Sequence, residues 1–207
     1  MNPIRITGLI LAGGRGSRMG GIDKGLQNFN GTPLVHHALT RLQAQQDDLI
    51  ADTMIVANRN QSIYQSLGVQ VWSDSTADFA GPLAGFLTGL EHCQTSHLLT
   101  VPCDSPLFPS NLASQLLEAM TQADADIALA AAREEDGVIR AQPVFCLMRV
   151  TLRESLSQFM QAGGRKVDAW TAQHATVVVP FDTPDMDPRA FFNANTLEEL
   201  HRLEKAT

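Results

Sequence analysis

The sequence has few cysteines and no long apolar run, the features that disulfide cross-links and membrane spans need. Its 207 residues include three cysteines, Cys93, Cys103 and Cys146, an odd number without C-x-x-C spacing, which predicts reduced thiols rather than disulfides. No uninterrupted apolar run approaches the roughly 20 residues of a membrane span. Residues 1–7 lack the long apolar core of a secretory signal. We therefore expect a cytoplasmic protein with no membrane partner.

Positive charge is also scarce. The chain has 15 Lys and Arg against 22 Asp and Glu, for a net charge of -7. Surfaces that bind nucleic acid or anionic lipid need an excess of cations, so we expect no nucleic-acid partner. The first 25 residues are an exception, because Arg5, Arg15, Arg18 and Lys24 stand there against Asp23 alone. An anionic ligand would have to bind at this local cluster.

Short apolar runs alternate with helical patterns along the chain. Strands are predicted at Ile6–Leu11, Met54–Ala57, Val69–Trp72, His97–Val101, Ile127–Ala131, Val144–Met148 and Val177–Val179. Helices are predicted from Thr32-Pro33, as N-cap and first helical residue, over Gln61–Leu67, from Gly81-Pro82, over Ser110–Gln122 and Arg149–Gln161, and from a Thr196/Glu199 capping box to about Leu203. This alternation predicts an α/β fold with a mostly parallel central sheet and helices on both faces, in a single domain over residues 1–207. In such sheets ligands bind beyond the carboxyl ends of the strands.

Residues 9–25, LILAGGRGSRMGGIDKG, place glycines and three cations directly after the first predicted strand. They do not fit the dinucleotide fingerprint G-x-G-x-x-G, because Met19 stands where the third glycine is needed. They do not fit the P-loop either, because Asp23 precedes Lys24. Glycines that expose backbone N–H groups, together with Arg and Lys side chains, still favour a phosphate site over a plain surface loop.

The same segment resembles the N-terminal signature of the nucleotidyltransferases of small α/β fold, which reads Leu-Ala-Gly-Gly, Arg-Met-Gly and then Lys. Four later segments agree in the same order: VWSDS at 71–75, GPLAG at 81–85, PCDSP at 102–106 and NANT at 193–196. Within that family the chain is most similar to the molybdenum cofactor guanylyltransferases, over nearly its whole length. The resemblance implies a Rossmann-like three-layer sandwich that binds GTP in its N-terminal half and molybdopterin in its C-terminal half.

The implied reaction transfers GMP from GTP to molybdenum-molybdopterin, releasing pyrophosphate and forming the guanine dinucleotide cofactor. Mg²⁺ is the implied cofactor, and acceptor molybdoenzymes are implied transient partners. The pair Gly13-Gly14 favours GTP, since cytidylyl relatives tend to carry Ala-Ala-Gly there. Two alternatives remain open: a cytidylyl- or sugar-phosphate nucleotidyltransferase of the same fold, and a carrier that holds the molybdenum cofactor without catalysis.

The resemblance also implies a role for each matched residue. The catalytic residues are Arg18, Lys24 and Asp104, of which Asp104 is the metal ligand. The GTP-binding residues are Leu11, Ala12, Gly13, Gly14, Lys24, Asn58, Asp74, Gly81, Gly85 and Asp104. The residues on the molybdopterin side are Arg165, Lys166, Asn193 and Asn195. At the position where relatives have a nucleotide-binding Asn this chain has Val56, so Asn58 is the candidate to replace that contact.

Several of these residues also have an ordinary structural interpretation. Asp74 and Asp104 would each suit a turn, as Asn193 and Asn195 would suit a turn or a helix cap. The glycines at positions 81, 85 and 89 stand four apart on one helix face, which would let a neighbouring helix or strand approach closely. Cys103 is predicted to be a small buried residue rather than a nucleophile, because no histidine spacing supports covalent catalysis.

Overall fold

The computed structural model describes residues 4–12, 23–75, 81–134, 136–184, 186–194 and 196–205, without the side chains of Asp47 and Leu197. Its strands are β1 (Ile6–Leu11), β2 (Asn28–Phe29), β3 (Thr32–Pro33), β4 (Ile50–Val56), β5 (Gln70–Trp72), β6 (His97–Pro102), β7 (Ile127–Arg133), β8 (Ile139–Arg149) and β9 (Thr176–Phe181). Its α-helices are α1 (Leu34–Gln43), α2 (Gln61–Gln65), α3 (Pro82–His92), α4 (Leu112–Gln122), α5 (Arg153–Gln161), α6 (Val167–Thr171) and α7 (Leu197–Lys205). The predicted α/β class is confirmed.

Within these residues one sheet of seven strands runs in the order β5-β4-β1-β6-β8-β7-β9. Strands β5, β4, β1 and β6 pair in parallel, as do β7 and β9, whereas β8 pairs antiparallel with both of its neighbours. The prediction of a mostly parallel sheet is therefore confirmed. Strand β8 is reversed because a short turn after β7 leaves no room for the crossover that a parallel pair needs.

Helices cover both faces of the sheet, as the sequence predicted. Alternate residues of β1 point to opposite faces, so Ile6 and Ile10 pack with α1, α2 and α4, while Leu9 packs with α3 and α5. Trp170 of α6 packs in the same core as Leu9, α3 and α5 and is fully buried. The result is the three-layer sandwich that the family resemblance implied.

The structure corrects the prediction that Thr32-Pro33 begin a helix. Strands β2 and β3 form a two-stranded antiparallel ribbon through a turn at Asn30-Gly31, where both residues have positive φ, and α1 begins only at Leu34. An Asn-Gly pair between two short strands is a strong signal for this turn type. The ribbon is close to the predicted site in the chain, because β2 begins at Asn28, shortly after Lys24.

The capping box at the last helix is confirmed. The Glu199 amide donates to Thr196 Oγ1 at 3.1 Å, and the Thr196 amide donates to Glu199 Oε2 at 3.0 Å. Helix α7 then packs Leu200 and Leu203 against Phe29 of the β2–β3 ribbon. The C-terminal end of the chain thus returns to the N-terminal third.

The cysteines are free thiols, as expected, and burial raises the pKa of Cys103 and Cys146 well above that of an ordinary thiol. Among the helices of the described ranges, none is both long and apolar enough to cross a membrane.

Candidate active site

Four parallel strands end level with one another at one edge of the sheet. Leu11 pairs with Val56 on one side and with Pro102 on the other, and Val56 pairs with Trp72. Backbone hydrogen bonds continue past these ends: the Ala12 amide donates to Val56 O at 2.8 Å. The segments that follow β5, β4, β1 and β6 therefore lie side by side at the carboxyl ends of these strands, where the sequence predicted the ligand site. We call this end of the sheet the ligand edge.

The best-defined pair at this edge is Lys24 and Asp104. Lys24 Nζ donates to Asp104 Oδ2 at 3.2 Å across 80 residues of sequence, and the side chains are only 23% and 15% exposed. Lys24 begins a short 3₁₀ turn, Lys24–Leu26, while Asp104 stands two residues past the end of β6. Two residues that the resemblance placed on the phosphates and the metal are thus in direct contact.

Asp23, the residue before Lys24, is fixed by two side chains from another part of the chain. The Tyr64 hydroxyl donates to Asp23 Oδ1 at 2.6 Å, and Asn60 Nδ2 donates to Asp23 Oδ2 at 3.0 Å. Tyr64 is fully buried, and burial together with nearby Cys103 and Asp23 raises the pKa of its hydroxyl, so it stays protonated as a donor. Sequence reasoning missed both donors, because neither Asn60 nor Tyr64 belongs to a recognised motif and α2 is a helix of five residues, QSIYQ.

Asp74 follows β5 and is held by Asn58, which follows β4. Asn58 Nδ2 donates to Asp74 Oδ2 at 2.6 Å, and the Asp74 amide donates to Asn58 Oδ1 at 2.8 Å. Burial raises the pKa of the Asp74 carboxyl, and the Asn58 hydrogen bond opposes that rise. Val56, in contrast, is buried in the core beneath α3, so its side chain does not face the ligand edge.

The segment around Asp104 is also tied to the C-terminal part of the chain. The Ala194 amide donates to Asp104 O at 3.0 Å, and the Ser105 hydroxyl donates to Asn193 Oδ1 at 2.5 Å. Ser105 is fully buried. Asn193, which the sequence assigned to the molybdopterin side, is therefore next to the predicted metal ligand.

The glycine stripe of α3 has a packing explanation. A Cβ at Gly85 would overlap Leu11 Cδ2, and a Cβ at Gly89 would come within 2.5 Å of Leu9 Cδ2 and 2.9 Å of Leu98 Cδ2. Gly81 precedes the helix with a φ of 141°, which favours glycine. The roles of Gly81 and Gly85 toward GTP remain predictions, although Gly85 lies against Leu11, another residue of that predicted set.

Arg165 and Lys166 lie in the connection between α5 and α6. The Arg165 guanidinium donates to Met160 O at 3.1 Å and to Gly164 O at 2.8 Å, and Lys166 immediately precedes α6. These hydrogen bonds hold the Arg165 side chain against the end of α5 and its own loop. The assignment of both cations to molybdopterin remains a prediction.

The predicted cation cluster is smaller than the sequence suggested. Arg5 precedes β1, at the amino edge of the sheet, and its carbonyl accepts from Ser96. Since β1 rises about 3.3 Å per residue, Arg5 is roughly 20 Å from the ligand edge. Four residues of the predicted site lie outside the described residues: Gly13, Gly14, Arg18 and Asn195. Arg15 of the cluster lies outside them as well.

The chain is similar to known proteins over nearly its whole length. Residues 8–177 match the family model described as the MobA-like NTP transferase domain. A protein of Acidovorax sp. (strain JS42) named molybdenum cofactor guanylyltransferase is 65% identical over 204 residues, which cover 96% of this chain and 95% of that protein. Bordetella pertussis (strain Tohama I) has a protein of the same name that is 52% identical over 199 residues, covering 96% of each chain.

Solved structures share the fold at lower identity. The molybdopterin-guanine dinucleotide biosynthesis protein A of Archaeoglobus fulgidus superimposes with a TM-score of 0.75 at 20% identity, over 97% of each chain. This likeness shows the fold alone, whereas the sequence relatives and the matched domain show the family. The chain therefore belongs to the MobA-like NTP transferase family and, within it, to the molybdenum cofactor guanylyltransferases.

Proposed function

We propose that the chain transfers GMP from GTP to molybdenum-molybdopterin, releasing pyrophosphate and forming the molybdopterin guanine dinucleotide cofactor. The observation that carries this proposal is the contact between Lys24 and Asp104 at the ligand edge of the sheet, 3.2 Å apart. A cation and a carboxylate in contact there match what a triphosphate and its counterion need. The names of the sequence relatives supply the identity of the two substrates.

The chemistry explains why charged side chains carry the site. An oxygen of the molybdopterin phosphate attacks the α-phosphorus of GTP, and the bond from that phosphorus to the bridging oxygen of pyrophosphate breaks. Negative charge accumulates on the leaving pyrophosphate, so catalysis depends on positioning and on nearby positive charge. We assign this charge stabilisation to Lys24 and, from the segment outside the described residues, to Arg18.

The residues present fit a magnesium ion at Asp104. Mg²⁺ is usually held by one or two carboxylates, with water and substrate phosphates supplying the other oxygen ligands. Among the described residues no cluster of three or more His, Cys, Asp or Glu could hold a metal unaided, which is consistent with a site that the nucleotide completes. When bound, the ion would neutralise phosphate charge, and Asp104 would hold it.

The two substrates are assigned to the two halves of the chain. GTP would lie over the ends of β1, β4 and β5, where Asp74 can accept from the guanine edge or from ribose hydroxyls. Molybdopterin would approach from the C-terminal half, where Asn193 is joined to Ser105 beside Asp104. Arg165, Lys166 and Asn195 complete the proposed acceptor side, and acceptor molybdoenzymes would receive the product.

A nucleotide comparison tests this proposal. Purified protein is incubated with Mg²⁺, molybdenum-loaded molybdopterin and each nucleoside triphosphate in turn, and pyrophosphate is measured. Release with GTP alone supports the proposal, and release with CTP alone would move the chain to cytidylyl transfer. Cofactor binding without any release would indicate a carrier.

The Asp104→Ala variant adds a test of the metal ligand. It should abolish turnover while remaining folded, because the carboxylate that holds the ion is removed. Asp52→Ala is the matched control, since Asp52 is an exposed aspartate near the amino end of β4, at the opposite edge of the sheet. Near-normal activity of Asp104→Ala would remove Asp104 from the metal site.

A further inference from the structure

The anchoring of Asp23 is more extensive than a surface turn requires. Its two carboxylate oxygens each accept a hydrogen bond, from the Tyr64 hydroxyl and from Asn60 Nδ2. Its backbone carbonyl accepts from Gln27 Nε2 at 3.2 Å and from the Leu26 amide at 3.3 Å. Both its side chain and its backbone are therefore held.

The donors themselves are held in place. Tyr64 belongs to the core formed by β1, α1, α2 and α4 and has no exposed surface. Asn60 precedes α2 with a φ of 52°, a left-handed conformation that Asn and Asp adopt more readily than most residues. The buried Tyr64 hydroxyl therefore loses little further freedom when it binds Asp23, while the left-handed backbone fixes the direction in which the exposed Asn60 side chain leaves the chain.

Gly25 shows how closely the turn packs against these donors. A Cβ at this position would lie 2.6 Å from the Tyr64 hydroxyl oxygen and 3.3 Å from Cys103 Sγ. Lys24 therefore stands between two fixed residues, Asp23 and Gly25. Its backbone carbonyl also accepts from the Gln27 amide at 3.0 Å. Its side chain leaves this fixed turn to reach Asp104.

We propose that Tyr64 and Asn60 are positioning residues that hold Asp23 so that Lys24 is directed at Asp104 and at the phosphates of the substrate. The inference rests on the proposed nucleotidyl transfer for its consequence in catalysis. Neither residue touches substrate in this account, because each acts through Asp23. A misplacement of about 1 Å in a catalytic group can cost on the order of 100-fold in rate, so such an anchor has a measurable effect.

Tyr64→Phe removes one donor and keeps the ring. We expect kcat to fall by about 10- to 100-fold with a smaller change in the KM for GTP, because binding by other groups persists while Lys24 is displaced. Met120→Ala is the matched control: Met120 lies in the same core on α4 and is 1% exposed. This control should lower the melting temperature at least as much and leave kcat near that of the wild type.

A carboxylate exchange tests Asn60. Asn60→Asp keeps a residue that tolerates the left-handed conformation but places two carboxylates at the 3.0 Å contact, so kcat should fall at least as far as in Tyr64→Phe. Adding Asp23→Asn restores an amide–carboxylate pair with its direction reversed and the net charge unchanged. The double variant should regain at least tenfold in kcat over Asn60→Asp.

Amide hydrogen exchange provides a readout that needs no substrate. The Leu26 and Gln27 amides, which donate to Asp23 O and Lys24 O, should exchange faster in Tyr64→Phe and Asn60→Asp and recover protection in the double variant. Unchanged exchange and unchanged kcat in both single variants would overturn the proposal. Wild-type protein that releases no pyrophosphate with GTP would instead reject the proposed function, and the exchange data would still decide whether Asp23 is anchored.

Discussion

Asn58 and Asp74 bind each other through two hydrogen bonds, one from the Asn58 amide group to the carboxylate and one from the Asp74 backbone amide back to Asn58 Oδ1. Both residues were predicted to contact the nucleotide, and these contacts remain predictions. The structure adds that Asn58 supports Asp74. A chain with Val56 buried in the core can therefore still present an ordered polar group at the end of β4.

Loss of Asn58 should weaken GTP binding through Asp74. In Asn58→Ala we expect the KM for GTP to rise about tenfold, in line with the loss of a hydrogen bond to a charged group. Because burial raises the pKa of Asp74 and Asn58 opposes the rise, the variant should lose GTP affinity at a higher pH than the wild type as pH falls. Steady-state KM values across acidic and neutral pH check this, with Asp74→Asn as the variant that should lose that pH dependence.

Removal of the Lys24 charge should impair the chemical step. We expect Lys24→Gln to lower kcat by about 100- to 1,000-fold, a range measured when a group that stabilises developing charge is deleted. Lys24→Arg should retain part of the activity because it keeps the charge while changing the shape of the cation. Lys205→Gln at the end of α7 is the matched control, and a similar loss of kcat there would contradict the assignment.

The two buried glycines of α3 should respond differently to alanine. At Gly89 the added methyl meets Leu9 and Leu98, both fully buried, so Gly89→Ala should destabilise the fold by about 1–3 kcal/mol. At Gly85 it meets the end of the Leu11 side chain, which is partly exposed and can move. Gly85→Ala should therefore raise the KM for GTP with a smaller loss of stability. Denaturant unfolding and steady-state kinetics separate the two effects, and equal stability losses with unchanged KM values would contradict this distinction.

Stability should fall in mild acid because of His97. Burial lowers its pKa below the ordinary 6.5, and the nearby Arg149 charge lowers it further. Below pH 6.5 the unfolded chain therefore binds a proton that the folded chain resists, so this contribution is present above that pH and is lost as pH falls toward the folded pKa. Urea unfolding of His97→Gln should show a weaker dependence on pH than the wild type. His36→Gln, at an exposed position of α1, should keep the wild-type dependence.

The ligand edge could be predicted from the sequence because its signals are local. Each strand that ends there is a short apolar run. Asp74 and Asp104 closely follow two of these runs, and Lys24 lies in the N-terminal segment that carries the family signature. The outer half of β8 was not predicted, because Pro143 interrupts the run and Ile139–Ala141 are exposed rather than buried on one face. Only its buried end was recognised.

The supports of the site escaped sequence reasoning for a different reason. Tyr64 meets Asp23 across 41 residues, and Ser105 meets Asn193 across 88. No spacing rule reports contacts of this kind, because they exist only once the sheet has brought separate segments to one edge. The placement of Arg5 in the cation cluster was wrong for the opposite reason. Arg5 is close to Lys24 in sequence, but the length of β1 separates the two residues in space.

The central claim, GMP transfer from GTP, is tested most directly by following two different labels of GTP in parallel reactions. GTP labelled at the α-phosphorus or at the γ-phosphorus is incubated with Mg²⁺, molybdenum-loaded molybdopterin and the wild-type protein, and the products are separated. The account predicts that the α label enters the cofactor while the γ label appears in pyrophosphate in equal amount. Transfer of the γ label to the cofactor, or no transfer of either label, would contradict it.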